Sequence, residues 1–197
     1  MNITFLPNVH SKRLCSLACS HGVPSQLVKI FETSKKLLVV TGAGVSTESG
    51  IPDYRSPGRP PYRPLQHSEF VKQESVRRRY WARSMIGFTK IISADPNAAH
   101  LALAQLEKFG IVKSLITQNV DRLHQKAGHQ RVLELHGTIH EVECMNCGHS
   151  LSRVSMQDEL TKRNVDWINK YNSKHFERPD GDAELPTQVA YLAVYDV

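Results

Sequence analysis

The sequence predicts an α/β fold built on a parallel sheet, with ligand-binding residues gathered at the carboxyl ends of the strands. Three observations predict it. Leu37-Leu38-Val39-Val40 is a short unbroken apolar run, as in a strand buried on both faces, and it meets the glycine turn Thr41-Gly42-Ala43-Gly44. Ile111 to Thr117 reads as a second strand and ends in the polar cluster Gln118-Asn119-Val120-Asp121. Val132 to Leu135 reads as a third and ends in His136-Gly137. In open α/β sheets, ligands bind at that edge.

The elements follow in order. Residues 1 to 23 read as a leader: Met1 to Ile30 contains no Asp or Glu but holds Lys12, Arg13, Lys29 and several serines, the composition of a mitochondrial transit peptide, although arginine is sparse and an ordinary disordered tail has the same look. Residues 24 to 34 predict a helix with Val28, Ile30 and Phe31 as its apolar positions. After the glycine turn, five prolines between 50 and 67 predict loop. A long helix is expected over 68 to 93, burying Phe70, Val71, Tyr80, Trp81, Met85 and Ile86. Asp95-Pro96 starts another, which buries Leu101, Leu103 and Leu106 and stops at Gly110. Past Gly137, Thr138 to Cys144 alternates like an antiparallel strand, and Cys144-Met145-Asn146-Cys147-Gly148 has the form of a zinc knuckle turn. A helix is expected over 154 to 170, and Val189 to Tyr195 is apolar with no turn signal to say what it packs on.

With 197 residues, 40% hydrophobic and 22% charged, the chain suits one domain with a small satellite. No apolar run approaches the roughly 18 residues of a membrane span, so no membrane is expected as partner. The net charge of +6 is diffuse. Its densest run, Arg77-Arg78-Arg79 beside Val76, Tyr80 and Trp81, reads as the solvated side of an amphipathic helix rather than a nucleic-acid patch, so no nucleic acid is expected either. Four cysteines do not make a secreted disulfide framework; Cys15 and Cys19 fall in the expected leader, and Cys144 and Cys147 form a C-x-x-C, a metal or redox spacing.

Each motif has two readings when taken alone. Gly42-x-Gly44 after a strand begins like a dinucleotide fingerprint, but Thr47 stands where the third glycine belongs, and no Gly-Lys-Ser/Thr follows. The glycines let a backbone approach a pyrophosphate, with Ser46 and Thr47 offering hydroxyls; an ordinary strand-to-helix turn looks the same. Ile51-Pro52-Asp53-Tyr54-Arg55 has binding-loop chemistry, although its composition is unremarkable. Gln118, Asn119 and Asp121 have the groups to grip a carboxamide or ribose hydroxyls, or to cap a helix. His136, on the ligand edge beside a glycine, is a candidate general base near neutral pH, although a lone histidine is usually structural.

In this order, GAGVS, GIPDYRS, TQNVDRLH and HG before C-x-x-C resemble the sirtuin family of NAD-dependent protein deacylases and ADP-ribosyltransferases. The resemblance is close from Lys36 to Cys147 and looser to about Pro186. Residues 64 to 70 (PLQHSEF), 79 to 83 (RYWAR) and 95 to 100 (DPNAAH) most resemble its class II mitochondrial branch, in agreement with the leader.

The resemblance implies a Rossmann-like NAD-binding domain over 24 to 137, a partial zinc-binding module over 138 to 187 and a divergent tail over 188 to 197. Gly42, Ala43 and Gly44 would contact the pyrophosphate region, near Ser46 and Thr47. Ile51, Pro52, Asp53, Tyr54 and Arg55 would form a mobile cofactor loop. Gln118, Asn119 and Asp121, with Val120 between them, would hold nicotinamide and its ribose. The amide oxygen of an acyl-lysine on a mitochondrial matrix protein would attack C1′ of that ribose as nicotinamide leaves, His136 would act as general base on a ribose hydroxyl, and water would then release free lysine and O-acyl-ADP-ribose. Zinc would be structural, with Cys144 and Cys147 among four thiolates.

Two departures qualify this. Residues 57 to 63 are shorter than in close relatives, and only Tyr62 and Arg63 resemble their Gly-Leu-Tyr-Ala-Arg, which leaves acyl preference open. The second C-x-x-C, expected after Pro186-Thr187, is absent, and so are the later adenosine-binding strands. His140 or His149 is the nearest substitute ligand. The reading is of a C-terminally truncated form whose sheet is incomplete and leaves an apolar face unburied. The alternative to an active enzyme is a non-catalytic fragment acting only by binding.

Overall fold

The computed structural model describes residues 24–34, 36–55, 57 and 65–171, with the short strands Phe176–Glu177 and Ala183–Glu184. The expected leader, the proline-rich centre of the loop and the tail lie outside the described residues.

Helix α1 (Ser25–Thr33) leads into strand β1 (Leu37–Thr41), which turns at once into a 3₁₀ segment, Ala43–Ser49. Strands β2 (Val112–Thr117) and β3 (Val132–Glu134) complete an all-parallel sheet of order β1-β2-β3. The register sets Thr41 beside Thr117 and Thr117 beside Glu134. All three strands therefore end at one level, and the loops that follow them meet there.

The strand expected to be buried on both faces is covered on one. Leu38 and Val40 of β1, with Leu133 and Leu135 at β3, are each more than half exposed. Pairing Val40 with Ile116 and Ile116 with Leu133 puts them on a common face. The opposite face, carrying Leu115 and Thr117, is closed.

The long helix expected over 68 to 93 is two. Helix α2 (His67–Lys72) and helix α3 (Glu74–Ser93) are separated by Gln73, which is extended (φ −122°, ψ 111°). Arg77 Nη1 donates to the carbonyls of Phe70 (3.1 Å) and Val71 (2.8 Å), supplying partners for carbonyls the break leaves open. Val71, expected inside, is exposed. Helix α4 (Ala98–Lys108) starts at Asn97, whose side chain accepts from the amides of Ala99 and His100. Its buried positions are His100, Ala104 and Glu107, and Leu101 faces solvent. Those three recur at i, i+4 and i+7, so two polar residues set the helix phase; Leu103 and Leu106 lie half-buried beside them, and of the three expected leucines Leu101 is the one misplaced.

Helix α5 (Leu123–Lys126) follows the Asp121 loop. After it the architecture becomes antiparallel: β4 (Glu141–Glu143) pairs with β5 (Ser150–Ser152) around the Cys144–Cys147 turn. The helix expected over 154 to 170 is interrupted at Asn164 and forms α6 (Arg153–Arg163) and α7 (Val165–Tyr171). Met156 and Leu160 of α6 pack on Ala82 and Met85 of α3, with Trp81, Val142 and Leu151 around them. Arg153 is buried in that seam, its guanidinium 4.3 Å from the Phe88 ring centre and donating to Ser84 Oγ. Strands β6 (Phe176–Glu177) and β7 (Ala183–Glu184) form an antiparallel pair. No described helix is long and apolar enough to cross a membrane.

Candidate active site

At the level where the strands end there is a cavity of about 1180 Å³. It gathers Gly42, Ala43, Gly44 and Ser46 from the first loop, Ile51, Tyr54 and Arg55 from the next segment, Gln118, Asn119, Val120 and Asp121 from the end of β2, and His136 from the end of β3. Thr47, Pro52 and Asp53 do not line it; Thr47 Oγ1 instead donates to Gly44 O at 2.9 Å.

Gly42 and Gly44 owe nothing to internal packing. A Cβ built on either meets no atom within 4 Å, and Gly42 is extended (φ −140°), a conformation open to any residue. What a side chain would fill is the cavity. That space fits a group approaching the backbone closely, as a pyrophosphate does. Gly50 differs, because its φ of +83° is itself a reason for glycine.

The floor is polar, buried and paired. Ser46 Oγ donates to Asp121 Oδ2 (2.7 Å) and accepts from Asn119 Nδ2 (3.0 Å). Asp121 Oδ1 accepts from the Leu123 amide (2.9 Å), and the Asn119 amide donates to Thr117 Oγ1 (3.1 Å). The carboxamide and carboxylate are thus fixed before any ligand arrives, the preorganised state that makes polar recognition effective.

Beneath the floor lie three buried histidines, two of them closing the motifs DPNAAH and TQNVDRLH and none given a role by the sequence. His100 and His124 rings stand 4.7 Å apart, and His124 and His129 6.3 Å apart. His124 Nε2 lies 3.0 Å from Thr41 Oγ1, which donates to Thr117 Oγ1. Burial pushes the His124 imidazole down to about 4; His100 and His129 add to this and Asp121 opposes it. Burial likewise lowers His100, against Asp121. His129 Nδ1 stands 3.0 Å from a Glu107 carboxylate oxygen, yet burial still lowers it.

His136 is exposed, after β3 and before Gly137 (φ +75°), and lines both the main cavity and a second one of about 530 Å³. The second cavity also holds His67, Phe70, Tyr80, Trp81 and Arg83. A side chain at the junction of two cavities can reach a ligand in each.

Arg122 is the only non-glycine described residue at positive φ (φ 57°, ψ 21°). Its guanidinium bonds Glu134 (Nε to Oε1, 3.2 Å) and Glu141 (Nη2 to Oε1, 2.7 Å). Burial pulls its pKa down, but the bonds to Glu141 and Glu134 outweigh that and raise it. Arg122 sits inside a recognised motif, yet its partners lie 12 and 19 residues away and no local pattern marks them.

At the Cys144–Cys147 turn, the Cys144 amide donates to His149 O (2.9 Å) and the Gly148 amide to Cys144 O (2.9 Å). The Cys147 and Asn146 backbone amides, then the Cys147 thiol, lower the Cys144 thiol, which favours the thiolate a metal takes. Two thiols at this spacing are half the donor set that a closed four-thiolate zinc site needs. Among the described residues no third His, Cys, Asp or Glu joins the pair, and His140 Nε2 is engaged by the Asp121 carbonyl at 3.0 Å. The described residues do not close a tetrahedral site.

The model of the Sir2 family matches residues 42–183. An NAD-dependent protein deacylase SIR4 of Monosiga brevicollis is 51% identical over 149 residues, covering 75% of this chain and 48% of that protein. An NAD-dependent protein lipoamidase, sirtuin-4, mitochondrial, of Bos taurus is 47% identical over 165 residues, covering 81% of this chain and 51% of that protein. Among solved structures, a Sir2–p53 peptide–NAD+ complex aligns with a TM-score of 0.60 at 34% identity, over 72% of this chain and 55% of that one. The chain spans about half the length of the curated relatives it matches.

Proposed function

Because the chain belongs to the Sir2 family, we propose that it is an NAD-dependent protein-lysine deacylase or ADP-ribosyltransferase. The observation that carries this reading is the single cavity uniting the side-chain-free surfaces of Gly42 and Gly44, the Asn119–Ser46–Asp121 floor and His136. NAD, when bound, supplies the ADP-ribosyl group that accepts the acyl group as nicotinamide leaves.

The chain's residues divide the remaining work. Gly42, Ala43 and Gly44 leave room for the pyrophosphate. Asn119 and Asp121 hold nicotinamide and its ribose, oriented by Ser46, with Gln118 and Val120 on the same wall. Tyr54 and Arg55 line the same cavity, on the loop with Ile51, Pro52 and Asp53. His136 takes a proton on an imidazole nitrogen, and its place between the cavities favours the second as the seat of the acyl-lysine. Thr47 is assigned to shaping the loop.

The relatives named as mitochondrial sirtuin-4 support a place in the mitochondrial class II branch, acting on acylated matrix proteins. Cys144 and Cys147 would supply two thiolates toward a structural zinc, and no catalytic step depends on it.

The test is nicotinamide release by the 197-residue chain. It should require both NAD and an acyl-lysine peptide and vanish in His136→Ala; equal rates in the two proteins would defeat the proposal. The open face of Leu38, Val40, Leu133 and Leu135 favours a second reading, a fragment that binds without turnover. ADP-ribose binding without nicotinamide release would support that instead.

A further inference from the structure

The loop that carries His136 runs from the end of β3 to the start of β4, so Glu134 and Glu141 bracket it. Both are held by one side chain. Arg122 Nε bonds Glu134 Oε1 at 3.2 Å, and Arg122 Nη2 bonds Glu134 Oε2 at 3.4 Å and Glu141 Oε1 at 2.7 Å. Glu134 is further fixed by Gln125 Nε2 at 3.1 Å. The middle of the loop leans on the same segment: the Ile139 amide points to Val120 O (3.4 Å), and His140 Nε2 lies 3.0 Å from Asp121 O.

We infer that Arg122 is a positioning residue that clamps both ends of the His136 loop onto the Asn119–Asp121 segment, and so sets the base against the ribose-binding carboxylate. Its bearing on catalysis rests on the reading of His136 as base. Three features point the same way. A left-handed backbone is unfavourable for any residue with a Cβ, and it is adopted beside Asp121, where it directs the guanidinium at both glutamates. Arginine suits the task because its planar fork bonds two carboxylates at once, whereas an ammonium acts as a single point of charge. Glu141 also belongs to the β4–β5 hairpin, so the clamp joins the Cys144–Cys147 module to the sheet.

Arg122→Gly separates position from stability, since glycine removes the clamp and relieves the positive φ together. Hydrogen exchange in the full chain should show protection at the Gly137 and Ile139 amides falling by about tenfold or more, with Leu115 on β2 unchanged. The thermal midpoint should stay within roughly 2 °C. In nicotinamide release, kcat should fall about tenfold or more while KM for NAD moves less than about threefold. Arg122→Lys should fall between, and adding Glu134→Gln to Arg122→Gly should cost little more than either alone. Unchanged exchange at Gly137 and Ile139, or an equal loss at Leu115, overturns the proposal. A wild-type chain that releases no nicotinamide defeats the functional reading instead, and the exchange result still decides the clamp.

Discussion

Ser46 and Asp121 are 75 residues apart in the sequence, and a 2.7 Å hydrogen bond joins them in the buried floor of the cavity. The parallel register creates that meeting. With Thr41 level with Thr117, the turn after β1 and the loop after β2 leave the sheet side by side.

Ser46→Ala removes both the donor to Asp121 and the acceptor for Asn119 Nδ2. Leaving buried polar partners unmet should cost about 1–3 kcal/mol of stability. Because Asn119 and Asp121 also lose their common anchor, ADP-ribose affinity should fall about tenfold, on the order of 1.4 kcal/mol. Calorimetric titration reads this, and an unaltered Kd would show that Ser46 plays no part in orienting the floor.

His124 gives the fold a pH limit. Its Nε2 faces Thr41, its Nδ1 has no hydrogen-bond partner among the described residues, and His100 and His129 stand against its ring. Protonation would place an unmet N–H and a positive charge in that enclosure, and Asp121 offsets only part of this. The folded pKa lies below the unfolded one, so the unfolded chain takes up the proton first. Stability is therefore whole above pH 6.5 and declines as pH falls toward about 4. The full drop from this residue is about 3 kcal/mol. Urea unfolding between pH 7 and 4 should show that loss and a shallower one in His124→Gln; parallel curves would mean His124 does not titrate differently on folding.

The sheet and the cavity wall were legible because their signals are local. An apolar run striking glycine, or a strand ending in amide and carboxylate, is visible within ten residues, and Leu37–Thr41 and Val112–Thr117 fall where those signals place them. Burial was less legible. Helix α4 turns inward on His100 and Glu107, whose partners, Asn97 apart, come from distant segments, so its leucines alone place Leu101 inside when it faces solvent. The break at Gln73 escaped because it depends on side-chain carbonyl capping by Arg77, which the 3.6-residue pattern does not encode. Likewise nothing near Arg122 in the sequence points to Glu141. Single-sequence reasoning finds ligand-facing residues more easily than the residues that hold them in place.

Glu107 is such a support, remote from the cavity lining. Its carboxylate accepts from the amides of Gln130 (2.7 Å) and Arg131 (3.0 Å) and stands 3.0 Å from His129 Nδ1, tying α4 to the start of β3. Glu107→Gln keeps the shape but loses one acceptor and the charge, and should destabilise by about 2–3 kcal/mol. The urea midpoint should drop with an unchanged m-value, while ADP-ribose affinity per folded molecule stays constant. A lower affinity in the folded state would make Glu107 part of the binding apparatus.

Gly42 and Gly50 both have open space where a Cβ would sit, yet they should respond in opposite ways. Gly42 is extended, so Gly42→Ala strains nothing and restricts the unfolded chain, which should raise stability by about 0.4–1 kcal/mol. Gly50 is left-handed, and Gly50→Ala should lower stability by about 1 kcal/mol or more. For binding the order reverses. The methyl at 42 projects into the cavity and should weaken ADP-ribose by about tenfold or more, the equivalent of roughly 1.4 kcal/mol. The methyl at 50 should change affinity far less, because Gly50 does not line that space. A thermal melt and a titration on each variant give four readings. If Gly42→Ala binds ADP-ribose as tightly as the parent, the glycine turn does not face the pyrophosphate, and the cofactor must lie elsewhere in the cavity.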